Sequence, residues 1–206
     1  MFSKKECLRK TKFLFLAVLI LGLSGCYLFR SPAPVLTKSS AISVPDLTGF
    51  YADSSGGRIE IIPSAGSGGA GSNVFLLRFI HDKSDTPDFV FLTAEPLGGD
   101  LYVMELSVIE PGKDPEYSLY LAVINLPRMT VFTSDFTDST DSYDKAEALA
   151  KKYQVVIDRD RNITSYASKE KLMDFFRSLF DSPYVKKKME YFRQDPAPGP
   201  ARKTAK

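Results

Sequence analysis

Tryptophan is absent from this 206-residue chain, histidine occurs once, at His81, and cysteine twice, at Cys7 and Cys26. A single histidine excludes a metal site built from several histidines of one chain, and it obliges any serine-histidine-acid triad to use His81 as its base. No G-x-S-x-G turn accompanies that histidine, and its place before Asp82-Lys83-Ser84-Asp85 reads as an exposed turn at a strand end. Beyond one apolar run near the N-terminus, no stretch approaches the roughly 20 apolar residues that a membrane-spanning helix needs. Nothing repeats in heptads, which excludes a coiled coil.

The motifs that are present fail on context. Gly66-Ser67-Gly68-Gly69-Ala70-Gly71 matches G-x-G-x-x-G, but a dinucleotide site needs a helix next, and Asn73-Val74-Phe75-Leu76-Leu77 is strand-like. The glycines read as a hairpin loop. Asp158, Asp160 and Asn162 occupy the first three ligand positions of a calcium loop, yet Ile163 stands where the turn needs glycine and Lys169 where a bidentate carboxylate belongs. A polar turn between strands is the better reading. Asp135, Asp138, Asp141 and Asp144 recur in a Ser/Thr-rich stretch typical of a solvated loop and helix cap. No spacing singles out a carboxylate pair of the kind that hydrolyses glycosides. The sequence therefore assigns no catalytic residue, no cofactor and no metal ligand, and the chain reads as non-enzymatic.

What is present in force is an N-terminal address. Lys4, Lys5, Arg9, Lys10 and Lys12 precede a continuous apolar run from Phe13 to Leu23, the layout of a secretory signal segment. Leu23-Ser24-Gly25-Cys26 follows, and it resembles the lipobox of bacterial lipoproteins. The resemblance covers about the first 27 residues and implies cleavage between Gly25 and Cys26. It implies a diacylglycerol thioether on Cys26, with palmitate-like acyl chains, and a protein held to the cell envelope facing the periplasm. Tyr27 stands where the inner-membrane retention signal of enterobacteria is aspartate, so the resemblance favours the outer membrane. Acyl chains contribute about 0.8 kcal/mol per buried methylene, so several chains on one residue hold a protein to a bilayer unaided. With Cys7 in the removed segment and Cys26 acylated, no intramolecular disulfide remains.

Charge agrees with that division. The whole chain carries +2, but the signal segment contributes five bases against Glu6, so the mature chain is left near −2. No nucleic-acid partner is implied. Positive charge gathers at the end, in Lys186, Lys187, Lys188, Arg193, Arg202, Lys203 and Lys206, where anionic head groups or acidic envelope polymers could meet it.

The organisation read from composition is a signal peptide over 1–25, then a lipidated cysteine and an extended, proline-punctuated tether over 26–45. A β-rich globular domain with helices follows over 46–182, and a basic helix and disordered tail over 183–206. Strands are expected at Arg58–Ile62, Asn73–His81, Asp88–Ala94, Leu101–Ile109, Tyr117–Ile124, Met129–Ser134, Gln154–Arg159 and Ile163–Tyr166, separated by turn residues such as Leu97-Gly98-Gly99-Asp100. Neither face of Tyr117–Ile124 is strongly polar, the mark of a strand covered on both sides or closed into a barrel. Asp144–Lys152 is expected to form a short helix. Leu172, Phe175, Phe176 and Leu179, behind a Ser168 cap, form the apolar stripe of a second. The fold class is β-dominated α+β: an antiparallel meander or barrel-like sheet of about eight strands, one short internal helix and a C-terminal amphipathic helix.

These features lead to a membrane-anchored envelope lipoprotein acting as a structural or interaction module, with an envelope protein or polymer as partner. A lipocalin-like carrier of a lipid or small apolar ligand is the first alternative. Against it, the usual lipocalin G-x-W opening has no tryptophan here and only a faint echo in Leu47-Thr48-Gly49-Phe50-Tyr51. A glycan hydrolase using paired carboxylates is the second.

Overall fold

The computed structural model describes residues 28–39, 42, 44–64, 73–80, 88–108, 114–134 and 140–194. Cys26, Gly25, His81, the Gly66–Gly71 loop and the tail from 195 lie outside them. The elements in chain order are β1 (Phe29–Ser31), β2 (Gly49–Asp53), β3 (Arg58–Pro63), β4 (Val74–Ile80), β5 (Asp88–Gly98), β6 (Leu101–Val108), β7 (Glu116–Asn125) and β8 (Arg128–Ser134). There follow α1 (Thr140–Lys152), β9 (Val155–Ile157), β10 (Ile163–Tyr166), α2 (Lys169–Phe180) and β11 (Val185–Gln194).

Strands β2 to β8 form an antiparallel meander, and β11 inserts between β8 and β2, so that the sheet closes into an eight-stranded barrel. Closure removes the unpaired edges that an open sheet would expose. The expected number of strands is met with a different membership. The two late strands expected in the sheet form a separate hairpin, β9–β10, and their places are taken by β2 and β11. Residues 185–194, read as a basic helix, are therefore a strand. Lysines favour a helix locally, but here the backbone is paired on both sides, with Tyr191 opposite Asp53 on β2 and opposite Met129 on β8. Tertiary pairing outweighs a propensity worth a few tenths of a kcal/mol per residue.

Alternation sorts the side chains into two cores. Tyr51, Ile61, Leu77, Leu92, Met104, Ala122 and their neighbours fill the barrel. On the outside, Val103, Leu119 and Leu121 of β6 and β7 meet Leu172, Phe175, Phe176 and Leu179 of α2, Ala146 and Ala150 of α1, and Val155, Ile157 and Ile163 of the hairpin. The doubly apolar pattern of β7 thus has a simple cause: one face lines the barrel and the other lies under helices. Ser168 caps α2 by accepting from the Lys171 N–H at 3.3 Å, and Gly98 and Gly99 supply the positive φ of the β5–β6 turn.

The segment read as a tether is folded from Leu28 to at least Ser39. Leu28 and Phe29 are fully buried, β1 pairs with the first half of β7, and the Arg30 N–H donates to the Arg161 carbonyl at 2.9 Å. From Pro32 the chain crosses the outside of β6 and β5 as a strap. Its N–H groups are received by two buried carboxylates: Glu105 Oε2 accepts from Val35 at 2.6 Å and Leu36 at 3.2 Å, and Glu95 Oε1 accepts from Thr37. Lys169 of α2 reaches Glu95 Oε1 at 2.5 Å and completes the clasp. Proline punctuation signals extended backbone equally in a tether and in a docked strap, and the difference lies in acceptors 58 to 70 residues away. Among the described residues no helix is long and apolar enough to cross a membrane.

Candidate functional site

Three surfaces of the described molecule can meet another molecule. The first is a cavity of roughly 60 Å³ inside the barrel, toward the end that carries the β2–β3 turn, lined by Phe79, Leu106, Tyr191 and three of the five methionines, Met104, Met129 and Met189. Methionine is flexible and polarizable, so such a lining can adapt to an apolar occupant. Burial, with Asp53 adding its charge, pushes the Tyr191 phenol up to about 12, so it stays protonated, and it donates to Met189 Sδ at 3.1 Å. Toward the other end Leu47 is buried in the barrel core with Val44 packed against it, and the fully buried Tyr51 donates its hydroxyl to the Leu47 carbonyl at 2.9 Å. Tyr51 holds the position where the lipocalin pattern has tryptophan, and Gly49, at φ 142°, lies where a Cβ would come within 2.9 Å of Arg193 Nε.

The second surface is an open polar groove of roughly 690 Å³ between β1, the start of β7 and the β9–β10 turn, lined by Arg30, Asp114, Glu116, Tyr117, Asp158 and Asn162. Asp114 and Glu116 come to its lining from the β7 side and Asp158 from the β9–β10 turn. One of them is occupied, however: Asp158 Oδ1 accepts from the Asn162 N–H and Oδ2 from Asn162 Nδ2, both at 2.8 Å. Burial raises its pKa, but these bonds outweigh burial and hold the carboxyl below its usual range. Asp158 is thereby the brace of a tight turn with Arg161 at φ 66°, the polar turn between strands that its spacing suggested. Among the described residues no cluster of His, Cys, Asp and Glu has the arrangement of a metal site.

The third surface is the outer wall of the second half of β11, β2, β3, β4 and the first part of β5, on which the helical layer does not pack. Alternation points Phe50, Glu60, Ile62, Leu76, Arg78, Phe89 and Phe192 outward here, because Tyr51, Ile59, Ile61, Leu77 and Val90 point inward. All three exposed phenylalanines of the described chain stand on this wall, at 40% (Phe50), 47% (Phe89) and 43% (Phe192) of full exposure. Between Phe50 and Phe89 lies the Glu60–Arg78 ion pair. Composition alone hid this wall. Phe50 and Phe192 fall outside the expected strands, and Phe89 lies in the expected strand Asp88–Ala94, whose apolar residues on both faces do not mark one face as bare.

The fold and its surfaces define a closed antiparallel eight-stranded barrel with an external helical layer and one bare apolar wall. Comparison of the chain with protein-family models, with curated proteins and with solved structures finds no match.

Proposed function

We propose that this chain is a bacterial envelope lipoprotein, acylated at Cys26 and cleaved after Gly25, that works as a non-enzymatic interaction module through the bare wall of its barrel. The observation that carries the reading is the concentration of Phe50, Phe89 and Phe192 on the one wall left outside the helical layer. Apolar side chains gathered on an otherwise solvated sheet face are the usual mark of a binding surface. Only Tyr27 separates Cys26 from the buried Leu28. At no more than about 3.6 Å per residue, the acylated cysteine then holds the folded body within roughly 7 Å of its anchor rather than on a stalk. The outer membrane is the favoured location on the residue after the cysteine.

In-cell crosslinking of tagged full-length protein, with Cys26→Ala as the unanchored control, tests this. A recurrent crosslink from positions 50, 89 or 192 that weakens in the control is the expected result. Equal labelling of the wall by no protein in either form would sink the reading.

A second reading, the apolar-ligand carrier, is favoured by the methionine-lined cavity. At roughly 60 Å³ it is several-fold smaller than the 300–1,000 Å³ typical of small-molecule sites, so it would seat only the end of an acyl chain. Native mass spectrometry of the purified protein is expected, on this reading, to show a lipid adduct that disappears in Met129→Trp. An adduct unchanged by that substitution, or none at all, rules the cavity out as the seat.

A further inference from the structure

We infer that the partner of the bare wall is a second copy of this chain. The inference rests on the interaction-module reading for the surface, and takes its occupant from the order of charges on it. Strand register makes four outward residues a single row across the wall: Phe50 stands opposite Glu60, Glu60 opposite Arg78, and Arg78 opposite Phe89. With strands about 4.8 Å apart, the row runs about 14 Å and reads apolar, acidic, basic, apolar.

Reversed end for end, that row is its own complement. A rotation of 180° about an axis parallel to the strands, lying between β3 and β4 in the plane of contact, sets Glu60 of one copy against Arg78 of the other, and the reverse. The same rotation sets Phe50 against Phe89. The next row obeys the same operation, because Ile62 and Leu76 are paired across the same two strands and are both apolar. Phe192, on the same face as its partner Ala52, adds apolar surface in the adjoining row rather than in the row of Phe50. An isologous interface requires this self-complementarity, since each residue i that meets j must also meet it as j to i. An unrelated partner would need the apolar area but not the antisymmetric charges. The ion pair is also half-sheltered, with the Glu60 side chain at 16% and Arg78 at 36% of full exposure, so covering it strengthens its interaction with an added opposite charge. An acyl anchor confines copies to one membrane, which raises their effective concentration.

The test uses full-length protein extracted in mild detergent, with mass measured by sedimentation across a concentration series. Wild type is expected to be dimeric. Glu60→Arg or Arg78→Glu places like charges together twice per dimer, and is expected to weaken association about tenfold or more. The double variant E60R/R78E restores the row in mirror order and is expected to recover the dimer. Circular dichroism and thermal melting of each variant separate loss of association from loss of fold. Geometry is read independently by mixing copies that carry Phe50→Cys with copies that carry Phe89→Cys. A short bis-maleimide should join unlike copies far better than like ones. A wild type that stays monomeric at all concentrations, or a charge swap that fails to recover association in a folded protein, overturns self-association. Crosslinks in cells from the wall to an identified different protein would overturn it too while leaving the interaction-module reading intact. A wall that labels nothing removes both.

Discussion

Phe29→Ala is expected to destabilise the folded protein by about 3–5 kcal/mol, the range for truncating a fully buried phenylalanine. Its ring is wholly enclosed and packs at 5.6 Å between centroids from Phe175 and 6.3 Å from Phe176, both on α2 and both buried. Helix α2 and strand β1 thus meet through this ring. Denaturant unfolding of wild type and variant measures the effect directly. In a thermal melt the midpoint should fall by roughly 6–20 °C, because a domain of this size moves about 2–4 °C per kcal/mol. A residue of a free tether would change stability by no more than about 0.5 kcal/mol. A loss that small would mean that residues from Leu28 onward are not part of the folded unit. A full loss would mean that the folded unit begins at Leu28, so that an anchor at Cys26, as proposed above, would join the core directly.

The second large effect concerns the strap. Glu105 is 1% exposed, and its Oε2 is the acceptor for the N–H groups of Val35 and Leu36. Glu105→Ala leaves two buried donors without an acceptor, each worth about 1–3 kcal/mol, so a total loss of about 3 kcal/mol is expected. Glu105→Gln keeps a carbonyl oxygen in place and removes the charge, which makes the pair of variants informative together. Burial is the largest influence on the carboxyl and pushes its pKa up. The two N–H donors and the Lys38 charge pull it down by less, while nearby Glu95 adds to the upward shift.

A carboxyl whose folded pKa is raised stabilises the fold fully below its unfolded value, and loses that contribution as pH rises through the folded value. Wild type should therefore lose stability relative to Glu105→Gln as pH rises above the ordinary carboxyl value of 4.5, with the glutamine variant equal or superior at the alkaline end. Urea midpoints of both proteins across that window decide the matter. A constant difference would show that burial does not control Glu105, and a harmless Glu105→Ala would show that the strap is held by other groups.

Some parts of this architecture were legible in sequence for reasons that are local. Six barrel strands announce themselves by alternation between turn residues, and α2 by its 3.6-residue stripe behind Ser168. The Gly98-Gly99 turn needs positive φ, which glycine alone adopts freely. The doubly apolar β7 correctly indicated cover on both faces. Three features were not legible, and each depends on partners distant in the chain. Val185–Gln194 has the composition of a basic helix, and only the empty place between β2 and β8 makes it a strand. Gly49–Asp53 is too short and too mixed to register as a strand until β3 and β11 flank it. The strap differs from a tether only in that Glu95, Glu105 and Asn73 lie beneath it.

By itself the sequence determined the class of fold, and it supplied the motif on which the proposed anchor at Cys26 rests. These follow from composition, short-range periodicity and motif spacing, which act within a few residues. Only the tertiary structure decided which strands close the barrel, that the chain from Leu28 is core rather than leash, and that Phe50, Glu60, Arg78 and Phe89 stand in one row. Register between strands is the reason. A shift of one residue in any pairing would send that strand's side chains to the opposite face, and the register is set by the joint packing of two cores that no single segment contains.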